Sequence, residues 1–258
     1  MNGAFRSALQ FLTRLPTPGI SDEQATQLGR AVPHFPLVGA IVGALSAAIA
    51  YGATAAGLSP GLAAIAAVAS AALVTGALHE DGLADSADGL FAGSRDRALE
   101  IMRDSRTGVF GATALILAFA LRFGALWSTD PAWWLRGLVA AHALGRWAAA
   151  ALLITQPYAR SGDETARATA FTRSRPKNAF WPTSIVALAL AFLAGGRVGL
   201  VAILLAVCVV GGWAALTKRR IGGQTGDTMG AACVMAEIGT LLVFAATHPA
   251  SSSPWGIS

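Results

Sequence analysis

The chain has 258 residues, of which 54% are apolar or aromatic and 13% are charged, and its formal net charge is +5. Soluble globular domains carry about 25% charged residues, so this composition excludes a disordered chain and is too apolar for a water-soluble globule. Together with a mean hydropathy of +0.56, it indicates a polytopic membrane protein. Cytoplasmic loops rich in Lys and Arg explain the basic balance without a nucleic-acid partner.

The first element is a short amphipathic segment near the N-terminus. Phe5, Leu9 and Leu12 recur at helical spacing, which predicts a short helix lying on the membrane surface. Arg14 and Pro16 interrupt the apolar run. This interruption argues against a cleaved signal peptide.

Seven apolar stretches follow, and most approach the roughly 20 residues that a helix needs to cross about 30 Å of hydrocarbon. They cover residues 36–58, 60–78, 111–127, 133–154, 181–194, 198–216 and 229–246. Abundant Gly and Ala allow helices to pack closely in a bilayer. We expect an all-α, polytopic bundle of about seven transmembrane helices, forming one domain over residues 1–258. The fifth stretch is short, so six and eight spans stay open.

The positions of Lys and Arg predict the orientation of the bundle. Most of the 19 basic residues precede the first stretch or lie in the second, fourth and sixth connections, whereas the opposite links are short. Because cytoplasmic loops are enriched in Lys and Arg, seven spans place the N-terminus inside a bacterial inner membrane and the C-terminus outside. The basic connection 155–180 is either an ordinary inside loop or an attractor for an anionic substrate.

A string of acidic residues follows the second stretch. Asp81, Asp85 and Asp88 are spaced i, i+4 and i+7, so they share one face of a helix. Three like charges on one face destabilise a helix unless a cation lies among them. Carboxylates without clustered Cys or His favour Mg²⁺ or Mn²⁺ over Zn²⁺, and a solvated acidic patch is the alternative. Glu80 and His79 adjoin the string, with His79 an orienting group or proton acceptor.

A second polar cluster precedes the third stretch. Gly108 and Gly111 leave backbone N–H groups accessible where a helix begins, which suits phosphate binding. Arg106 is a candidate phosphate clamp, and Asp104 is a candidate metal ligand or orienting partner. The alternative is a capped helix start with a surface Arg–Asp pair.

Several ionisable residues fall inside the apolar stretches, where such groups are costly and usually functional. Arg146 and Glu237 are candidate substrate contacts, or else they pair with each other. We interpret Arg122 as a packing or snorkelling residue and His142 as a hydrogen-bonded core residue.

A glycine-rich loop precedes the last stretch, with the sequence Gly223-Gln224-Thr225-Gly226-Asp227. Glycines, a hydroxyl group and a carboxylate at the start of a helix suit a phosphate or nucleotide cradle. The loop is neither a Walker loop nor a dinucleotide fingerprint, and a simple turn between helices would look similar. Asp227 favours the functional interpretation and is a further candidate metal ligand.

Together these motifs resemble the cobalamin synthase family, the adenosylcobinamide-GDP ribazoletransferases. The resemblance covers nearly the whole chain. It is carried by Phe11-Leu12-Thr13-Arg14-Leu15-Pro16, Phe35-Pro36-Leu37-Val38-Gly39, His79-Glu80-Asp81-Gly82, Asp88-Gly89, Asp104-Ser105-Arg106-Thr107-Gly108, Gly145-Arg146 and Gly223-Gln224-Thr225-Gly226-Asp227.

The resemblance implies a reaction of late vitamin B12 assembly. Adenosylcobinamide-GDP would be joined to α-ribazole or α-ribazole 5′-phosphate, giving adenosylcobalamin or its 5′-phosphate and GMP, with Mg²⁺ required. A ribose hydroxyl would attack the phosphorus on the cobinamide arm, and the bond to GMP would break. The choice between α-ribazole and its phosphate, the lower base, the number of metal ions and the oligomeric state stay open.

Within this resemblance the residues acquire roles. Metal ions on Asp81, Asp85 and Asp88 would bridge the pyrophosphate. Arg106 or Arg146 would stabilise transition-state charge. The candidate proton acceptors are His79, Glu80, Asp88 and Asp104.

Two rival functions are weighed against this one. A CDP-alcohol phosphatidyltransferase shares the first half of its motif with Asp85-Ser-Ala-Asp88-Gly89, but Gly93 stands where Arg is expected. A small secondary transporter would use Glu237 and Arg146 on an ion path. Against it, the carboxylates gather at the membrane edge.

Overall fold

The computed structural model describes residues 3–17, 28–104, 106–160 and 177–250. Most of the predicted basic connection 155–180 lies outside these residues. The described residues form helices, short 3₁₀ turns and two isolated β-bridges, with no strand. Their α-helices are α1 Gly3–Leu12, α2 Leu28–Ala31, α3 Phe35–Ala55, α4 Pro60–Thr75, α5 Leu78–Gly89, α6 Arg95–Ile101, α7 Val109–Ser128, α8 Trp134–Thr155, α9 Phe180–Gly195, α10 Arg197–Ile221 and α11 Gly226–Thr247.

An apolar helix forms in each of the seven predicted stretches. By length and composition, five helices in the described part of the chain suffice to cross a membrane, or six if α4 and α5 are one bent span. Both α4 and α9 have only 16 residues, which corresponds to about 24 Å at 1.5 Å per residue. The all-α membrane bundle is therefore confirmed, and two of the seven predicted spans are short.

The centre of the bundle is α8, which packs against α3, α9, α10 and α11. Within Pro131–Thr155, 94% of the most apolar window is buried. On α3, a Cβ atom added at Gly39 would lie 2.1 Å from the carbonyl oxygen of His142, and one at Gly43 would lie 2.3 Å from that of Leu138. Only glycine permits this approach of two helix backbones, as in small-residue membrane packing.

The outer helices expose apolar side chains. Only 22% of the most apolar window of α10 and 28% of that of α7 are buried. Leu204 and Ile116 are each more than half exposed. In water such surfaces would be strongly unfavourable, so these faces suit contact with lipid.

The connections gather at the two ends of the bundle. At one end, called here the pocket end, Arg95 donates to the carbonyl oxygens of Ile221 and Ala159, and Arg220 donates to that of Leu90. At the other end, Asp130 N–H donates to His248 O at 2.9 Å. The predicted inside connections therefore meet at the pocket end, whereas the last described residues lie at the opposite end.

The N-terminal segment forms the predicted helix, α1. Its apolar face does not lie free on a surface, because Ala8 and Leu12 are almost completely buried against protein. They pack in a cluster with Phe35 and Ile154. The helix therefore forms part of the pocket end of the bundle.

Candidate active site

The acidic string forms a short helix of its own, α5. Gly76 and Ala77 both adopt left-handed backbone conformations, with φ of 64° and 55°, and the chain bends by 88° between α4 and α5. This conformation is uncommon for a residue with a Cβ atom. The backbone N–H of Arg14 donates to Val74 O at 2.7 Å, so the segment after α1 contacts the end of α4 next to this break. With four carboxylates in 12 residues, α5 is too polar to cross a membrane by itself.

The predicted helical face of the aspartates is confirmed. Asp81 is exposed at the pocket end, whereas Asp85 is partly buried. Burial raises the pKa of Asp85 to about 7, with smaller contributions from the carboxylates of Asp227, Asp81 and Asp88. Crowded carboxylates of this kind attract a cation.

Asp88 has structural partners. Its two carboxylate oxygens accept hydrogen bonds from the backbone N–H groups of Gly108 at 2.7 Å and Gly111 at 2.8 Å. A Cβ atom on Gly111 would lie 2.3 Å from the Asp88 carboxylate, so the glycine is needed for this approach. A carboxylate at the start of α7 satisfies N–H groups that have no partner within the helix. The glycines predicted to bind phosphate therefore bind Asp88 in this structure.

The two residues that precede Asp81 point into the protein. Glu80 is 5% exposed and His79 is 4% exposed. Burial, followed by the charge of Arg146, lowers the pKa of His79 to about 3. The imidazole is therefore neutral near pH 7 but binds a proton only weakly, and this low basicity makes it a weaker candidate for proton acceptor than the sequence indicated.

Asp104 and Arg106 form an exposed pair. Arg106 Nη2 lies 2.6 Å from Asp104 Oδ2, and 87% of the arginine side chain is exposed. The hydrogen bonds from Arg106 lower the pKa of Asp104 to about 2. Neither residue lines the pocket described below, so the surface pair weighed as the alternative is what the structure contains.

The glycine-rich loop is held tightly at the start of α11. Thr225 and Thr228 form reciprocal side-chain caps, and Thr225 Oγ1 also donates to Asp227 Oδ2 at 3.2 Å. A Cβ atom on Gly223 would lie 2.0 Å from Pro157 O. Gln224 and Tyr158 form a parallel bridge. The loop therefore packs against the segment that follows α8.

Arg160, on that segment, was not among the candidate site residues from the sequence. Its Nη2 atom donates to Asp227 Oδ2 at 2.8 Å. The bridge between Tyr158 and Gln224 brings it there, and this bridge joins residues distant in sequence. In the sequence, only its position in the basic connection 155–180 indicated that Arg160 is suited to contact an anionic ligand.

The ionisable residues inside the bundle form a buried charge network. Arg122 Nη1 donates to Glu80 Oε1 at 2.8 Å and to Glu237 Oε2 at 3.3 Å. His142 Nδ1 lies 2.8 Å from Glu237 Oε1, and Arg146 pairs with the same oxygen. The prediction that Arg122 snorkels is wrong, because the side chain is 3% exposed and ion-paired. The pairing of Arg146 with Glu237 and the core role of His142 are confirmed.

A pocket of about 230 Å³ lies between α1, the start of α3, α5, α8, α11 and the segment after α8. Its polar lining residues are His79, Asp81, Tyr158, Arg160, Gln224 and Asp227. Its apolar lining includes Phe11, Leu12, Phe35, Leu78, Ala149 and Met229. Gly226 lines the pocket as well, whereas Arg146 and Glu237 do not.

The pocket therefore assembles part of the predicted site. It brings together Asp81 from α5 and the Gln224–Asp227 loop from α11, which are far apart in sequence. Gly82 makes this contact possible, because a Cβ atom there would lie 2.7 Å from Asp227 O. Among the described residues, no three His, Cys, Asp or Glu side chains are placed to hold a metal ion together.

Comparison with known proteins gives a consistent result. The family model described as cobalamin-5-phosphate synthase matches residues 4–245. An adenosylcobinamide-GDP ribazoletransferase of Bradyrhizobium diazoefficiens is 43% identical, over 93% of this chain and 92% of the relative. An enzyme of that name from Klebsiella pneumoniae is 41% identical, over 93% of this chain and 98% of the relative. One from Roseiflexus sp. is 37% identical, over 94% of this chain and 89% of the relative. No solved structure matches. The chain belongs to the cobalamin-5-phosphate synthase family.

Proposed function

We propose that this chain is an adenosylcobinamide-GDP ribazoletransferase, which joins adenosylcobinamide-GDP to α-ribazole or its 5′-phosphate and releases GMP. The name shared by its relatives supports this activity. One structural observation carries the site assignment. Asp81 from α5 and Asp227 from α11 line the same pocket as Arg160, so carboxylates and a guanidinium group meet where a charged pyrophosphate would react.

Mg²⁺ fits this group of carboxylates as a site that the substrate completes. Mg²⁺ in phosphoryl-transfer enzymes is usually bound by one or two carboxylates together with substrate phosphates and water. Asp81 and Asp227, which both line the pocket, are the residues that would hold it. When bound, the ion would neutralise the charge that develops on the phosphate oxygens. Burial and, to a smaller extent, the neighbouring carboxylates raise the pKa of Asp85, and a cation would relieve the repulsion among these carboxylates.

The protein's own groups contribute mainly by positioning and by electrostatics, as in other phosphoryl-group transfers. Arg160 pairs with Asp227 and is placed to bind a phosphate oxygen as well. Asp81 is the exposed carboxylate of the pocket, so it is the ligand that a metal ion and the substrate phosphates can reach most directly. Arg146 belongs to the buried charge network and does not line the pocket. It lies one helical turn before Ala149, which does, so its positive charge acts on the pocket from a distance.

The pocket end is proposed to face the cytoplasm of a bacterial cell. The basic connections predicted to be inside gather there. The nucleotide substrate and GMP are compounds of the cytoplasm, which favours the same orientation. Lipid would surround the exposed apolar faces of α7 and α10. The two rival functions gain no support, because the relatives' shared name describes neither a lipid enzyme nor a transporter.

The decisive assay uses purified protein in lipid nanodiscs with adenosylcobinamide-GDP, α-ribazole 5′-phosphate and Mg²⁺. Cobalamin phosphate and GMP should appear in equal amounts, and EDTA should abolish both. Asp81→Asn should lower turnover at least about 100-fold, since losing about 3 kcal/mol of transition-state stabilisation has that effect.

The matched control is Asp96→Asn, because Asp96 lies in the next helix with a 93% exposed side chain. It should keep normal turnover. If the wild-type protein forms no cobalamin phosphate or releases no GMP, the proposal is contradicted. Normal turnover of Asp81→Asn would contradict it as well.

A further inference from the structure

The pocket has two chemically different walls. One is polar and carries Asp81, Asp227 and Arg160, whereas the other is apolar and comes mainly from α1, the start of α3 and α8. A pyrophosphate or a metal ion uses only the polar wall. The apolar wall therefore needs a separate explanation, which bears on which part of the substrates binds here.

The apolar wall is aromatic and well fixed. The rings of Phe11 and Phe35 are nearly parallel, with centroids 5.9 Å apart and planes at 16°. Phe35 and Leu12 are each 2% exposed, since α1 packs on the bundle at this point. Phe11 is partly exposed and lies on this fixed base, so a flat aromatic ligand would gain buried apolar area mainly against its ring.

One residue of the pocket lining, Gln224, has a side-chain acceptor without a partner among the described residues. Gln224 is 2% exposed, and its side-chain oxygen Oε1 is buried without a hydrogen-bond partner in the described part of the chain. Its backbone is fixed, because its N–H donates to Pro157 O and its C=O accepts from Ala159 N–H, both at 2.8 Å. Leaving a buried acceptor unpaired costs about 1–3 kcal/mol, so a ligand donor would be favoured here.

These observations favour a ligand that combines a flat apolar ring with a hydroxyl group. Guanine carries several donors and acceptors, and burying them against Phe11, Leu12 and Phe35 would leave them unpaired at high cost. The corrin ring is edged with amide side chains, which the apolar wall would likewise leave without hydrogen-bond partners. A nucleoside with an apolar base matches both walls.

We propose that this pocket binds the ribazole substrate, with its base against Phe11 and Phe35 and a ribose hydroxyl donating to Gln224 Oε1. This inference rests on the proposed function. It places the hydroxyl nucleophile in the same pocket as Asp81 and Asp227, and it leaves the cobinamide and guanine parts of the other substrate outside. Phe11 and Gln224 are then specificity-determining residues for the acceptor.

The test is steady-state kinetics in nanodiscs, with each substrate varied in turn, for Phe11→Leu and Gln224→Met. Each variant should raise KM for α-ribazole 5′-phosphate about tenfold, the factor that corresponds to about 1.4 kcal/mol. KM for adenosylcobinamide-GDP should change less than twofold. Gln224→Met keeps the size of the side chain and removes the acceptor, so it serves even if the variant in α1 folds poorly.

The control is Phe5→Leu, because Phe5 packs in the same cluster but does not line the pocket. Both KM values should stay normal in this variant. The inference is overturned if KM for adenosylcobinamide-GDP rises as much as KM for the acceptor, or if neither changes. A wild-type protein that releases no GMP would instead refute the proposed function.

Discussion

At the scale of single residues, the buried charge network shows why α5 keeps its position. Two carboxylates, Glu80 and Glu237, face two guanidinium groups, Arg122 and Arg146, and all four are at most 5% exposed. The formal charges cancel when His142 is neutral. Buried ion pairs of this kind add little net stability, but removal of one partner leaves an uncompensated charge.

The network makes a stability prediction for Arg122. Arg122→Met should lower the free energy of unfolding by about 3–5 kcal/mol, because Glu80 and Glu237 lose a shared cation. The double variant Arg122→Met/Glu80→Gln should recover part of this loss. Thermal unfolding in detergent measures both effects.

Arg97→Met is the control, since Arg97 pairs with Glu100 on the surface with a 60% exposed side chain. An exposed pair of this kind contributes about 0–1 kcal/mol. Equal melting temperatures for Arg122→Met and the control would contradict the account of the network.

At the scale of helices, the site depends on the close contact of α5 with α11. Gly82 lies against the backbone of Asp227. A Cβ atom added at Gly230 would lie 3.1 Å from His79 O. Asp81 and Asp227 line one pocket only because these helices touch. The break at Gly76 and Ala77 sets the direction of α5 relative to α4.

Gly82→Ala should therefore reduce turnover strongly, since the added methyl group would lie 2.7 Å from Asp227 O and would push the helices apart. Overpacking of this kind typically costs about 1–3 kcal/mol. Gly93→Ala is the matched control, because nothing lies within 4 Å of its added Cβ atom. Activity and melting temperature should be measured together, and wild-type turnover in Gly82→Ala would show that the contact is dispensable.

The extent to which the site was predictable from the sequence follows from the range of the contacts involved. The shared face of Asp81 and Asp85 depends on helical spacing alone, so it was predicted. The hydrogen bonds of Asp88 to Gly108 and Gly111 join residues at least 20 positions apart, and no local pattern reveals them. The metal assignment and the proposed role of Asp227 stay predictions.

The helices could also be predicted from local sequence alone, whereas the break between α4 and α5 could not. Apolar length predicts α7, α8, α10 and α11 well. An alanine at position 77 gives no sign of a left-handed conformation, which depends on the packing of the Arg14 segment against α4. The bend of 88° that separates α5 from α4 was therefore missed, and the acidic string was expected to close the second span and open the connection that follows it.

At the scale of the whole molecule, the helices alternate between two ends with different chemistry. The pocket end carries the aspartates of α5 and α11 and most of the described arginines, whereas the opposite end holds short links such as the 3₁₀ turn at Pro131–Trp133. Trp133 stacks on His248 there, with ring centroids 3.5 Å apart. The last described residues are thus fixed at the end opposite the pocket.

This arrangement predicts the membrane topology. A green fluorescent protein fused to the C-terminus should stay dark, because it does not fold after export through the general secretory pathway, and alkaline phosphatase fused there should be active. Green fluorescent protein fused to the N-terminus should fluoresce as the control. The reverse pattern at the C-terminus would place the pocket outside the cytoplasm.

The central claim is that carboxylates of α5 and α11 hold a divalent cation together with the pyrophosphate substrate. Electron paramagnetic resonance of Mn²⁺ tests it most directly, with protein in nanodiscs and adenosylcobinamide-GDP present or absent. We predict Mn²⁺ binding that depends on the substrate and that weakens about 10–100-fold in Asp81→Asn and in Asp227→Asn, but not in Asp96→Asn. Unchanged Mn²⁺ affinity in both pocket variants would contradict the claim.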